Sequence, residues 1–589
     1  MQDISLPAIA SASGKGRGQR LARAALFALL TLSAPAIWAQ SPADIAAGAR
    51  NAERIQREQE ERQRQQIQLE LEGRRAPSRI EVQPSPPPAA GQGGACVQVR
   101  AINIHGAPGL SEAARRRIVG PYLDRCLSLV EIQKLLADIV ADYIGRGLIA
   151  ARAYVQQQDA SKGSLDILVV EGTLEKISIS DGGKHSISLG NVMPGLLGRP
   201  LNLRDLEQGL EQINRLASNN ATLEIQPGDA AGGSAVMIHN APGDRLRLNL
   251  SADNQGGVST GRDQASAGVS MDNPLGWNDF LSVTHRRSVP VDYARRASTA
   301  NNAVYVLPYG YNTLSAGAGN STYVSTLLTS GGQELKSNGD SKNLFLKGER
   351  VVYRGQNGRA SLSSTLTVKE SNNYLAEQFL ASSSRKLAVW DLDASLSGRL
   401  GDGVVGAELG LSRGLDRFGA RRDAPDLPGE APKAQFRKIR YGASYMLPFR
   451  VANTEAVFSS QLSGQRGIDA LFGSEQILIG GIYSVRGFVN TTFTGDEGYT
   501  LRNDLSTRLP LPWPGRQAAV LRPYVGLDYG RVSARGPSAV GGYLAGATLG
   551  LGLSVGAFNA DLFSAWPIAM TDGAKLESPR VYLQVRLAL

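Results

Sequence analysis

Arg486 and Asp528 are the residues of this 589-residue chain whose types and settings could do specific chemistry. The arginine lies in Gly480-Gly481-Ile482-Tyr483-Ser484-Val485-Arg486-Gly487-Phe488, between two runs that alternate like β-strands, so it belongs to a connection. A loop that combines Gly480, Gly481 and Gly487 with Ser484, Val485, one arginine and Phe488 is able to fold back on something. The aspartate lies in Tyr524-Val525-Gly526-Leu527-Asp528-Tyr529-Gly530, flanked at i−2 and i+2 by glycines. In a strand Gly526, Asp528 and Gly530 share one face, while Val525, Leu527 and Tyr529 point the other way. The chemistry on offer is recognition, not bond breaking. A guanidinium can engage a carboxylate through two parallel hydrogen bonds. Asp504, on a face with Arg502, Ser506 and Arg508, is a rival acceptor, and an ordinary hairpin with a solvated arginine is the plain alternative.

Other chemistry is weakly represented. Gly257-Val258-Ser259-Thr260-Gly261 matches a nucleophile-elbow pattern by letter. That motif works on a sharp strand-to-helix turn, and here it joins two strand-like runs with no helix. His105, His185, His239 and His285 are scattered without metal-ligand spacing, and no glycine-rich phosphate loop ends in Lys-Ser or Lys-Thr. The expectation is no enzyme, no metal and no cofactor.

The elements that must position Arg486 and Asp528 are those of an exported barrel. Glycine is abundant, at 67 residues, and aromatics make up only 6%, which suits strands, turns and small inward-facing positions. Basic residues at 15–23 precede the apolar core Ala24–Leu32 and a small-residue stretch ending at Ala39, which reads as a signal peptide over 1–39. No later apolar run is long enough for a transmembrane helix, so a spanning structure must be a closed barrel. The formal net charge is +10, but no basic run interleaves with aromatics, so nucleic acid is not an expected partner. Cys96 and Cys126 lie in one segment and suit an oxidising compartment. The expectation is a disulfide, with two separate buried thiols as the alternative.

In chain order, 43–72 (within a unit bounded 40–75) reads as one helix rich in Arg, Glu and Gln. It lacks a wide apolar stripe, so it is a solvated spacer or sits in a wet environment such as a lumen. A Pro/Gly-rich, disordered linker over 76–95 follows. Residues 96–173 show the order β-α-α-β-β, with one strand running through Val97, Val99, Ala101, Ile102 and Ile104. Ser128-x-x-Glu131 forms a capping box before a helix whose apolar face is Leu129, Ile132, Leu136, Ile139 and Tyr143. The order repeats over 174–242, where Asn202 caps the principal helix. From 243 to 589 there is no convincing helix. Sixteen strand candidates alternate there, an even number as single-chain bacterial barrels require, and the longest connector is 467–498.

The two αβ units resemble POTRA domains. The Ser-Val-Arg-Gly-Phe loop with its downstream Leu-Asp-x-Gly strand, the Asp272–Asp279 turn and the Leu223–Gly228 segment resemble the outer-membrane transporters of two-partner (type V) secretion, within the Omp85 superfamily. The chain ends on Leu589, where such barrels usually end on an aromatic. The resemblance implies an α+β periplasmic POTRA pair followed by a 16-stranded antiparallel transmembrane β-barrel, with the N-terminal helix as a plug. It further implies that the POTRA units capture a large, unfolded exoprotein (an adhesin, haemolysin or contact-dependent toxin) and pass it through the barrel without ATP. The protein is expected to be monomeric, with outer-membrane lipid around the barrel. An Omp85-type assembly factor that inserts other barrels, or a porin-like channel, are the rival readings. Arg486 is expected to tether the long loop to Asp528, with Gly526 and Gly530 making room for it in a wet lumen.

Overall fold

The computed structural model describes residues 42–72, 80–81, 96–159, 162–329, 332–512, 519–535, 541–571 and 576–589. The signal-peptide stretch and most of the linker lie outside these. Residues 48–589 make one unit, and of residues 1–47 only the opening turn of the first helix is described.

The first αβ unit is built on a cluster that includes Leu127, Leu135, Ile139, Tyr143 and Ile167, all fully buried. Its main helix, Leu129–Gly145, starts where Ser128 accepts from the Glu131 backbone and the Glu131 side chain accepts from the Ser128 backbone. The inward face departs from the expected one. Leu135 is buried and Leu129 is exposed, so the buried stripe is Leu135, Ile139 and Tyr143 at four-residue spacing. The expected single strand also breaks at Arg100. Val97–Val99 pairs with a short strand, Arg125–Leu127, that the pattern did not reveal, while Ala101–His105 runs parallel to Ser164–Val170 in a three-stranded sheet. Arg152–Val155 is the other edge of that sheet. The separate two-stranded ribbon brings Cys96 and Cys126 to a Cα separation of 5.3 Å, and they are joined as a disulfide.

In the second unit, Asn202 accepts from the Arg204 backbone and caps the helix Leu203–Asn214. Leu206, Leu210 and Ile213 on that helix pack on Leu174, Leu223, Val236 and Ile238 of the sheet. The linker contributes here as well. Ile80–Glu81, expected to be structureless, pairs in parallel with Leu223 and Glu224 as an added edge strand.

Sixteen antiparallel strands then close into a barrel, from Leu246–Asp253 to Arg580–Ala588, which pair with each other. Strand starts agree closely with the alternation. The largest departure is the sixth, Glu334–Arg354, which begins earlier and forms a long hairpin with the fifth, Asn312–Leu328. Leu248, Val269, Val283, Leu344, Leu411, Leu549 and Leu583 all face outward and are exposed, as a lipid-facing belt requires.

Short turns at one end of the barrel clasp the second unit. Asn278 donates to the Ser188 carbonyl (2.9 Å), Asn273 donates to the Ser186 carbonyl, and Asp272 accepts from the Ser218 backbone (2.8 Å). At the next turn Gln208 and Gln212 both donate to the Gly310 carbonyl. Glu211 is held between Arg354 and Arg359. This clasp fixes which end of the barrel faces the αβ pair.

Candidate functional site

The connector 467–498 leaves the opposite end of the barrel and folds back inside it. It is not irregular throughout: Gly473–Glu475 is a single 3-10 turn, and Ile477–Ile479 pairs with Phe493–Gly495. The paired segment carries a tight tip closed by Gly481 N donating to the Phe488 carbonyl, with the Ser484 hydroxyl donating to the Gly480 carbonyl. Gly480, Gly481 and Gly487 all have positive φ, between +90° and +105°, which glycine alone adopts without strain.

The tip delivers Arg486 to Asp528, on the thirteenth strand, Ala519–Ser533. Arg486 Nε donates to Asp528 Oδ2 at 2.6 Å, Nη2 donates to Oδ1 at 2.7 Å, and the Arg486 backbone N donates to Oδ2 at 2.9 Å. Asp504, on the twelfth strand Glu497–Thr507, is a partner at the same time, accepting from Nη2 at 2.8 Å. The two carboxylates are therefore not alternatives, because one guanidinium bridges two adjacent strands. Arg502 flanks the group, with its Nε 3.9 Å from Asp528 Oδ1.

The surroundings are drier than a wet lumen would give. Arg486 is 4% exposed and Asp528 3% exposed. Val485 and Phe488, both fully buried, pack with Ile479, Val532, Leu544 and Met570 over the pair. The flanking glycines divide their labour. A side chain at Gly526 would collide with the Arg486 guanidinium, whereas one at Gly530 would meet Val485 and Ile479, so Gly530 admits the apolar cover and not the charge. Gly546 on the next strand lies directly under the Arg486 carbonyl, a close approach that no sequence pattern announced.

From Gly48 on, the first helix, Pro42–Glu72, lies in the barrel interior, and its side chains reach the wall at several strands. Gln56 donates to Asn373 (2.9 Å), Ser321 donates to Gln59, Gln63 bonds Asn302 and Asn343, and Ile67 packs near Phe280 and Val304. Ala52 and Ile55 form a small apolar spot against Tyr323. The helix also meets the long loop. Arg57 Nε donates to the Gly473 carbonyl at 2.7 Å, and Glu53 pairs with Arg385, whose guanidinium stacks on Phe472. In the same turn Glu475 is buried and paired with Lys369 and Lys438.

Several loop anchors escaped the sequence reading. Asp496 accepts from the backbones of Leu471 and Arg535, and Asp469 from Arg437 and Lys433. Asp496 sits in Gly-Asp-Glu-Gly, a turn-like signal that could have marked it. Glu577 accepts from three consecutive loop amides and has no such signal.

A two-unit αβ arm, a sixteen-stranded barrel, an interior helix and a folded-in loop define a narrow class. Residues 232–553 match the model of the haemolysin secretion/activation protein family ShlB/FhaC/HecB. The chain belongs to this family. Residues 97–172 match the ShlB-type POTRA domain and 173–227 a POTRA domain. The chain is 33% identical to the outer membrane transporter CdiB of Escherichia coli O6:K15:H31 (strain 536 / UPEC), over 95% of this chain and 92% of that one. It is 32% identical to the hemolysin transporter protein ShlB of Serratia marcescens, over 78% and 79%. The solved structure of CdiB from Escherichia coli superposes with a TM-score of 0.82 at 31% identity, covering 91% of this chain and 98% of that one. Membership in the ShlB/FhaC/HecB family makes this protein an outer-membrane transporter of two-partner secretion, with its POTRA domains in the periplasm and its barrel as the route for a large exoprotein. The assembly-factor and porin readings are not supported.

Proposed function

We propose that the exoprotein is captured in extended form along the free edge of the first POTRA sheet and threaded through a lumen that the helix closes at rest. The observation that carries this reading is the strand Arg152–Val155, which stands at the edge of its sheet with Ser164–Val170 as its neighbour among the described strands, and on which Tyr154 (53% exposed) and Val155 (40% exposed) are open to solvent. Unpaired edges with apolar side chains are templates for strand addition, with main-chain hydrogen bonds giving affinity and the side chains selectivity. The cargo is a large exported protein of the adhesin, haemolysin or contact-dependent toxin type, and the transporter works as a monomer. No nucleotide drives it, and folding of the cargo outside supplies direction.

On this reading the chain divides into a signal peptide (1–39), plug helix (40–75), linker (76–95), first POTRA (96–173), second POTRA (174–242) and barrel (243–589). Arg486 acts as the tether of the long loop, through Asp528 and Asp504 together. The test is binding of the cargo's N-terminal secretion domain to the purified transporter. Tyr154→Ala with Val155→Ala should weaken binding about ten-fold, the loss of a few apolar contacts. Unchanged binding would place recognition elsewhere on the POTRA pair.

A further inference from the structure

The long loop is fixed at a second point that the arginine tether does not explain. Beyond Arg486 the tip crosses the barrel wall strand by strand. The Arg486 carbonyl lies against Gly546 on the fourteenth strand, Gly542–Val555, and Gly487 lies against Trp566 and Pro567 on the fifteenth, Phe558–Met570. The next residues arrive at Glu577, just before the sixteenth strand. Its carboxylate accepts from Val489 N at 3.2 Å, from Asn490 N at 2.9 Å and from Thr491 N at 2.6 Å. Asn490 Nδ2 adds a fourth donor at 3.3 Å. Val489 meanwhile packs on the cluster of Tyr524, Phe563 and Tyr582.

Three successive backbone amides aimed at one carboxylate form an anion nest. The strand it precedes is the one that closes the barrel. Arg580–Ala588 pairs with the first strand over Asn249–Asp253, with further backbone bonds at Leu248 and Asn254. The loop thus spans from the bridged twelfth and thirteenth strands to the closing strand. It is pinned at one end by a guanidinium and at the other by a carboxylate.

We propose that Glu577 is a positioning residue for transport: it latches the tip of the long loop to the closing strand and holds the lumen shut beside the helix until cargo enters. This rests on the transporter reading above. The latch is polar and mostly backbone-made, and Val489 is its apolar contact with the wall, so it is less covered than the Arg486 pair.

The test uses the full-length protein in planar bilayers, with ionic conductance and protease cleavage of the loop as readouts, neither of which needs cargo. Glu577→Ala and Glu577→Gln should both raise the open fraction about ten-fold, because each loses charge-assisted hydrogen bonds to the loop amides. Asn490→Ala should change it little, since the backbone donors remain. The folded barrel's heat-modifiable gel mobility should be unaltered in all three. Secretion is then measured separately with the co-expressed exoprotein. If Glu577→Ala and Glu577→Gln leave conductance and loop cleavage at the wild-type level, the latch is wrong, whatever the secretion result. If the wild-type chain secretes nothing while these two variants still open the pore, the transporter reading fails and the latch stands.

Discussion

Arg486 gives Asp528 its backbone amide as well as both arms of its guanidinium, so the loop's main chain and its side chain are locked by one carboxylate. Removing either side of a covered pair leaves a buried charge, which costs about 3–5 kcal/mol. Arg486→Ala and Asp528→Ala should each reduce secretion sharply while the barrel still reaches the outer membrane. A double-mutant cycle on loop protease sensitivity should show non-additivity of about 1–3 kcal/mol. Simple additivity would mean the residues do not act together. Asp504→Ala should be milder, because it removes one of the four hydrogen bonds and leaves Asp528 in place.

The pair was legible because its signal was local and stereochemical. Glycines at i±2 of an acid in a strand mean a cleared face, whatever the fold. The barrel was legible for a related reason, since a period of two repeated sixteen times leaves few architectures. What stayed hidden depends on contacts between elements far apart in the chain. Nothing about Glu577 distinguishes it from a solvated loop acid until the amides of 489–491 arrive from another loop. The dryness around Arg486 came from Val485 and Phe488 folding over it, which a reading of the wall alone could not give. In the first POTRA unit, three-residue strands such as Arg125–Leu127 are too short to show alternation. The inward face of Leu129–Gly145 was misjudged because Leu135 and Leu136 are adjacent and either could face in.

The interior helix should behave as a removable plug. Its contacts with the wall are mostly single polar bonds, such as Gln56 to Asn373 and Ser321 to Gln59, with little apolar burial to hold it. Deleting 43–72 should raise single-channel conductance with the barrel still folded. The finer variant is Glu53→Ala. Once Glu53 is gone the Arg385 guanidinium keeps the Ser382 carbonyl as a hydrogen-bond partner and its stacking on Phe472, and its Nε and Nη1 already lack a hydrogen bond. Loss of that charged contact should increase opening roughly ten-fold. If conductance does not change in either variant, the helix is not what closes the pore.

The disulfide of the first POTRA unit should matter more than its exposed position suggests. Cys96 precedes, and Cys126 lies within, a two-stranded ribbon, Val97–Val99 with Arg125–Leu127, that belongs to neither edge of the main sheet. Two strands of three residues are not stable alone in water, so the ribbon depends on the cross-link and on Val99 and Leu127 entering the core. Bridging residues 30 apart should stabilise the unit by ~3–4 kcal/mol on the chain-entropy estimate. Mass spectrometry of the unreduced protein should show one cross-linked peptide, and reduction or Cys96→Ser with Cys126→Ser should make residues 97–127 protease-sensitive first. The barrel should be untouched, because its register owes nothing to that ribbon. Secretion should fall in proportion to cleavage of this unit, since the ribbon leads directly into Ala101–His105 of the sheet whose other edge, Arg152–Val155, is the proposed cargo site. Equal protease resistance with and without the bridge would show that Val99 and Leu127 alone suffice to hold the ribbon.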